Sequence, residues 1–384
     1  MFALQPSGTG TRMVGARSAT DTAVHEVSIR ADLVQTSAVP MTRQSAVRKL
    51  AHDNGLILND ASSLTIRRER RGDAFRFRDA SGKAIRDKDE IKRLNSLAVP
   101  PAYEEARYSA DPRTHLQAVG TDAAGRLQYR YHKEWPAVRE ALKVRRLANI
   151  ASSLPDIEIE VGKRLASKKD DLAFTAAAVV ELVAHTALRA GSESYARDNG
   201  TRGATTLLKS NVSIVEGKLR LRFKAKGGKK VEKEVAGKRL VKAITRLLAL
   251  PGRRLFQFRN DEGKLKRVHA GDVNRVLKSI TGRPLSLKDF RTLVASACVL
   301  EKLVAIERAD TVHARKAQVS EAIAAAAEDL ANTPTVCKAS YVCGAVVAAF
   351  ENGDLPRVKP VSPVAHWPIA HADALAKIVR RRAA

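Results

Sequence analysis

A chain of 384 residues with 44% hydrophobic content can bury ordinary cores and is long enough for two or three domains. Its 68 Lys and Arg against 41 Asp and Glu leave a formal net charge of +27, so a polyanion is the expected partner. Basic residues interleaved with short strands and turns favour nucleic acid over a membrane surface. The same reading excludes a membrane span, since no apolar run is long enough, and a secretory signal at the N-terminus, which makes the cytoplasm the expected compartment. A metal site is excluded because none of Cys298, Cys337 and Cys343 has histidine at ligand spacing. Gly10 to Gly15 has the glycine spacing of a phosphate-cradling loop, but Ala16 stands where that loop needs lysine, so no nucleotide or other cofactor is expected.

In chain order, residues 1–44 are rich in Ser, Thr, Ala and Gly without a sustained period and read as a disordered arm. Ser45 to Asn54 is a short helical pattern. Leu64 to Arg68 and Phe75 to Arg78 then alternate as strands about a turn at Gly72, with a row of arginines on one face that is most simply solvated. A helical stretch from Asp87 to Leu97 is followed by a break at Pro100-Pro101 and strand signals at Glu105 to Tyr108, Leu116 to Thr121 and Arg126 to Tyr131. Residues 45–135 thus read as a small β domain. Gln128, Tyr129, Arg130 and Tyr131 mix amide, aromatic and basic side chains, a set that suits either contact with bases and phosphates or an ordinary half-packed strand.

From Trp135 the period turns helical, and residues 136–352 read as a mainly α-helical domain, with segments Trp135 to Ser152, Asp156 to Leu165 and Asp171 to Ala190. Arg189, beside Gly191, falls at the end of the third, where an arginine complements the helix dipole. Strands Val212 to Val215, Lys218 to Lys224 and Val231 to Val235 predict a small three-stranded antiparallel sheet with Lys226 at a hairpin tip, where a lysine either reaches into a neighbouring cleft or, as is usual, stays mobile in solvent. Ser286 and Asp289 can cap a helix whose first turn holds Arg291 and whose continuation is apolar, so Arg291 needs an anion or a carboxylate partner. Residues 353–384, with Pro356, Pro360, Pro363 and Pro368 and a run of arginines from Arg380, read as an irregular basic tail. The fold class is α+β: a small N-terminal β-sheet domain, then a mainly α-helical domain carrying the three-stranded antiparallel sheet.

One stretch draws chemistry to itself. An alanine-rich helical run stops at Asn332, and Pro334 suits the first turn of a new helix that carries Tyr341. A donor amide, Lys338 and an isolated phenol in a strongly basic chain are what a tyrosine nucleophile acting on phosphate requires; a capped helix with a half-buried tyrosine is the plain alternative.

Taken together, the order Arg189, Lys226, Arg291, Asn332, Tyr341 resembles the catalytic set of the type IB DNA topoisomerases, in the small form found in bacteria and poxviruses. The strings GRLQYRYHKEW from Gly125, LRAGSESYARDNGTRGATTL from Leu188, RFKAKGGKK from Arg222, KDFRT from Lys288 and NTPTVCKASYV from Asn332 resemble that family's in order and spacing, over roughly residues 88–350. The resemblance implies a monomer whose two domains close around double-stranded DNA, in a nucleoid-associated cytoplasmic setting, without ATP or metal. Tyr341 would be the nucleophile. Arg189 and Arg291 would hold the nonbridging phosphate oxygens, Lys226 would protonate the departing 5′ oxygen, and Asn332 would donate to the same phosphate. Gln128, Tyr129, Arg130, Tyr131 and Tyr195 would contact DNA. Poxvirus members carry histidine where this chain has Asn332; the amide donates the same hydrogen bond but carries no charge. Tyrosine recombinases share the nucleophile, but they place histidine where this chain has Lys288. A noncatalytic architectural DNA-binding protein would need no phenol.

Overall fold

Alternation of apolar and polar side chains builds the first layer. The computed structural model describes residues 43–72, 74–358 and 367–383, so the arm expected over residues 1–44 lies almost wholly outside the described residues. After helix α1 (Arg43–Asp53) come strands β1 (Ile66–Arg71) and β2 (Ala74–Arg78), helix α2 (Lys88–Ser96), and strands β3 (Glu104–Tyr108), β4 (Leu116–Thr121) and β5 (Leu127–Tyr131). The strands form one antiparallel sheet in the order β2-β1-β3-β4-β5. Ile66, Phe77, Tyr108 and Ala118 pack one face of it against Leu94 of α2, and the Phe77 and Tyr108 rings meet edge to face at 5.3 Å. The arginine row is not uniformly solvated. Arg68 donates to the carbonyls of Val99, Pro100 and Tyr103 at 2.8, 2.9 and 2.7 Å, fastening the chain that follows α2 to the sheet.

Strand β5 leads into α3 (Trp135–Ala166), then α4 (Leu172–Thr186), α5 (Glu193–Asp198) and the antiparallel sheet β6 (Val212–Val215), β7 (Lys218–Lys224) and β8 (Lys230–Ala236). Along β7, Leu219, Leu221 and Phe223 turn inward while the intervening cations face out. Helix α6 (Lys238–Ala249), hairpin β9 (Gln257–Arg259) and β10 (Leu265–Arg267), and helices α7 (Ala270–Thr281), α8 (Leu287–Val304), α9 (Val312–Asp329), α10 (Pro334–Ser340), α11 (Gly344–Asn352) and α12 (Ile369–Ala383) follow. One hydrophobic core runs through this region, from Val144 to Val379. The architecture is α+β, as the patterning predicts. Among the described residues no helix is long and apolar enough to cross a membrane.

Three local expectations are corrected. The two helical segments on either side of Pro155 are a single helix of 32 residues. An internal proline costs about 3 kcal/mol, but Ile150, Leu154, Ile157 and Val161 are fully buried on both sides of it, and their packing outweighs the lost hydrogen bond. The third helix ends at Thr186 rather than Ala190, because Ala187 turns left-handed, with φ 51°. The tail expected to be irregular over residues 353–384 contains α12. Ala372, Leu375, Ala376 and Val379 recur at helical spacing and are buried, a period hidden by the flanking prolines and arginines. The segment is also pinned ahead of α12, where the Trp367 indole donates to the buried Glu181 carboxylate at 3.1 Å.

Leu375 is completely buried, so Leu375→Ala is expected to lower stability by about 2–5 kcal/mol. Urea denaturation checks this; a loosely attached tail would leave the midpoint where it was.

Candidate active site

Local chemistry decides where the phenol sits. The Thr333 side chain caps α10 by accepting from the Val336 amide at 3.4 Å, Pro334 fills the first helical position, and Tyr341 closes the helix with its N–H on the Cys337 carbonyl at 2.9 Å. Ser296 of α8 holds the turn beyond, donating to the Tyr341 carbonyl at 3.4 Å and accepting from the Cys343 amide at 3.1 Å. The tyrosine is 8% exposed.

Arg291 lies against it, 3% exposed, with its guanidinium carbon 4.6 Å from the centre of the Tyr341 ring. The carboxylate partner expected for this arginine is absent from its hydrogen bonds. Asp289 instead closes the capping box of α8, accepting from the Ser286 amide at 2.8 Å, and takes Arg146 of α3 in a two-pronged pair at 2.5 and 2.7 Å. Arg291 bonds to two main-chain carbonyls, those of Ala187 at the end of α4 and of Leu330 at the end of α9. Ala331, next to Leu330, is left-handed like Ala187, at φ 50°; both are conformations that cost a non-glycine residue about 1 kcal/mol or more. The two corners present Arg189 and Asn332.

Arg189 therefore lies beyond the helix rather than at its end, and its guanidinium donates to the Asn332 side-chain oxygen. Its backbone is fixed by the turn at 203–206: the Ala204 amide donates to the Arg189 carbonyl at 2.7 Å and the Thr205 amide to that of Ala190 at 2.8 Å. Only glycine allows this approach, since a Cβ on Gly203 would fall 2.6 Å from the Arg189 oxygen. With Oδ1 of Asn332 turned to Arg189, its Nδ2 is buried without a partner, and so is Nε of Arg291. Two unpaired buried donors thus belong to residues around one phenol, each costing about 1–3 kcal/mol until an acceptor arrives.

The electrostatics ease loss of the phenol proton. Burial pushes the Tyr341 pKa up, but the charge of Arg291 and hydrogen bonds from Arg291 and Arg189 outweigh it and hold the phenol below the usual tyrosine range. The nearby Cys337 thiol shows burial winning instead, pushed up to about 11.

Lys226 stands apart from this cluster. It is exposed at the tip between β7 and β8, its ammonium 5.7 Å from the centre of the Tyr195 ring, on a turn where Gly227 and Gly228 take φ of 77° and 78°. Its neighbour Lys229, which the sequence leaves among a crowd of cations, donates to the Asn332 carbonyl at 2.9 Å and ties the hairpin to the site. On the edge strand β5, Tyr129 and Tyr131 are exposed and near-parallel with ring centres 6.2 Å apart, and Tyr131 continues onto Trp135 at 6.0 Å. Strand alternation sends Gln128 and Arg130 to the opposite face, where they donate to Asp122 and to the Ala98 carbonyl, each at 2.9 Å. The four residues therefore do not share one sheet face. A cleft of about 170 Å³ beside Ser340 is lined by Arg139, Lys143, Arg146 and Lys288. Sequence reading passed over the first three because each fits an ordinary solvated helix position.

Comparison with known proteins places this geometry. A family model described as eukaryotic DNA topoisomerase I, catalytic core, matches residues 133–347, and one described as bacterial DNA topoisomerase IB, N-terminal domain, matches residues 74–122. The protein named DNA topoisomerase 1B from Acanthamoeba polyphaga mimivirus is 30% identical over 299 residues, which cover 75% of this chain and 88% of that relative. With more than half of the chain inside the catalytic-core match and a relative similar across both regions, the chain belongs to the type IB DNA topoisomerases, isomerases that act on DNA.

Proposed function

We propose that this topoisomerase nicks one strand of duplex DNA through Tyr341, holds the 3′ end as a covalent phosphotyrosine while supercoils relax by rotation, and reseals the strand. The observation that carries this reading is the pair of unpaired buried donors, Arg291 Nε and Asn332 Nδ2, beside a phenol whose pKa is depressed by Arg291 and Arg189. The Tyr341 oxygen attacks phosphorus, its proton passing to solvent, and the bond from phosphorus to the 5′ oxygen breaks. Arg189, Arg291 and Asn332 stabilise the charge that grows on the nonbridging oxygens. Lys226 swings from its place over Tyr195 on the glycine-rich tip and protonates the leaving 5′ oxygen, a contribution of about 10² to 10⁴ in rate. Resealing runs the same steps backwards. The phosphodiester energy is retained in the phosphotyrosine, so neither ATP nor a metal is required. Tyr129 and Tyr131, with Gln128 and Arg130 on the other side of the edge strand, and Tyr195 across from them, contact the duplex as a monomer's two domains close around it in the cytoplasm, at the nucleoid.

Tyr341→Phe removes only the nucleophilic oxygen. DNA affinity and its salt dependence are expected to survive while covalent adducts vanish, and the wild-type enzyme is expected to relax plasmid of either supercoil sign in the presence of chelator. Relaxation restored only by added magnesium would overturn the metal-free mechanism.

Lys226 and Arg291 separate by what each does to the transition state. A substrate with sulfur at the bridging 5′ position needs no proton to leave, so Lys226→Ala is expected to cut it well, while Arg291→Ala stays slow on both substrates. Equal rescue of the two variants removes Lys226 from the role of acid.

The same arginine sets the phenol. Arg291→Ala takes away the largest influence lowering the Tyr341 pKa and leaves burial, which raises it, so the titration is expected to move upward. Ultraviolet difference titration against the corresponding Tyr341→Phe variants reads the shift; a downward or absent shift contradicts the assignment.

A further inference from the structure

Tyr341 ends a helix of only 7 residues, α10, too short to hold a terminal side chain by its own hydrogen bonds. Two residues of α3, about two hundred positions earlier in the chain, grip the turn that follows. Glu140 accepts the Gly344 amide on Oε1 at 2.6 Å, at the N-terminus of α11, where the Cys343 side chain does not cap the helix. A carboxylate there satisfies an orphan donor and meets the positive end of the helix. Gly344 allows the approach: a Cβ would stand 3.0 Å from that oxygen. The other Glu140 oxygen takes Lys143 at 2.8 Å, and Lys143 in turn donates to the Val342 carbonyl at 2.8 Å and the Lys338 carbonyl at 3.4 Å. All three ammonium donors are thereby used, and the side chain is 11% exposed, so this cation is not presented to a phosphate as a free surface lysine would be.

We propose that Glu140 and Lys143 are positioning residues for the nucleophile, fixing the 338–344 turn so that the phenol is held ready before attack; this role rests on the reading of Tyr341 given above. Its kinetic mark follows from when the tyrosine is mobile. Before cleavage a loosened turn must be immobilised to reach the transition state. In the covalent intermediate the bond to phosphorus already holds the side chain, so resealing starts from a fixed tyrosine. Loss of the tether therefore slows cleavage by about tenfold to hundredfold, leaves resealing nearly unchanged, and lowers the equilibrium ratio of covalent to noncovalent complex by the same factor as cleavage.

The test is rapid-quench cleavage and resealing under single-turnover conditions with the full-length enzyme saturating a DNA duplex. Lys143→Met is expected to slow cleavage selectively, Lys143→Arg to restore most of the rate, and Glu140→Gln, which still accepts from Gly344 but loses the ion pair, to fall between them. DNA affinity and its salt slope are expected to stay at wild-type values. Equal slowing of cleavage and resealing assigns a chemical role instead. Weaker binding with a salt slope reduced by about one and a normal rate at saturation makes Lys143 a phosphate contact; either result overturns the proposal. If Lys143→Met does not fold, Glu140→Gln carries the same comparison, and unchanged cleavage there overturns it. Covalent adduct persisting in Tyr341→Phe refutes the nucleophile assignment and is read separately.

Discussion

A buried cation without a carboxylate is the constraint on which the catalytic region depends. Arg291 is the fifth residue of α8, just past its first turn, inside the hydrophobic core, and bonds to two carbonyls and no anion. Taking a guanidinium out of water costs several kcal/mol, and main-chain dipoles recover only part of it. The strain is visible around it. Both carbonyls lie beside left-handed alanine corners, and Nε is left without an acceptor. The cost of that unpaired donor stays in the folded protein until an acceptor arrives.

Three arginines that join the helices behave differently. Arg146 with Asp289, Arg239 with Glu181, and Arg254 with Glu193 are paired with carboxylates, and each joins elements distant in sequence. Such pairs stitch α3 to α8, α4 to α6, and α5 to the chain before β9. Arg291 differs from these three in having no carboxylate among its hydrogen bonds. Exposed pairs such as Lys218 and Arg220 with Glu234 contribute little to stability and leave the surface strongly positive.

Helix α3 connects the two ends of the enzyme. It begins at Trp135, stacked on Tyr131 of the edge strand β5, and within three turns it reaches Glu140, Lys143 and Arg146, which hold the tyrosine turn and the cap of α8. A continuous helix thus links the strand with exposed aromatics to the turn that carries Tyr341. Helix α12 packs against the same helix, which runs unbroken through Pro155.

Much of this was legible in the residues themselves. Period-two alternation located the strands of both larger sheets, the Ser286 and Asp289 box marked the start of the helix that carries Arg291, one residue later in it than the first turn expected, and Pro334 after Asn332 announced the short helix before Tyr341, because each of these signals is local and acts within a few positions. The five spaced strings identified the family for the same reason, as runs of adjacent residues. Tertiary structure alone decided the rest. That Arg291 meets carbonyls and not Asp289, that Arg189 leaves its helix to reach Asn332, that α3 survives Pro155, and that the basic tail holds a buried helix all depend on partners tens to hundreds of residues away. Local patterns report which face of an element is apolar. They carry no record of which distant backbone group lies opposite a given side chain, and in this enzyme those opposite groups determine the site.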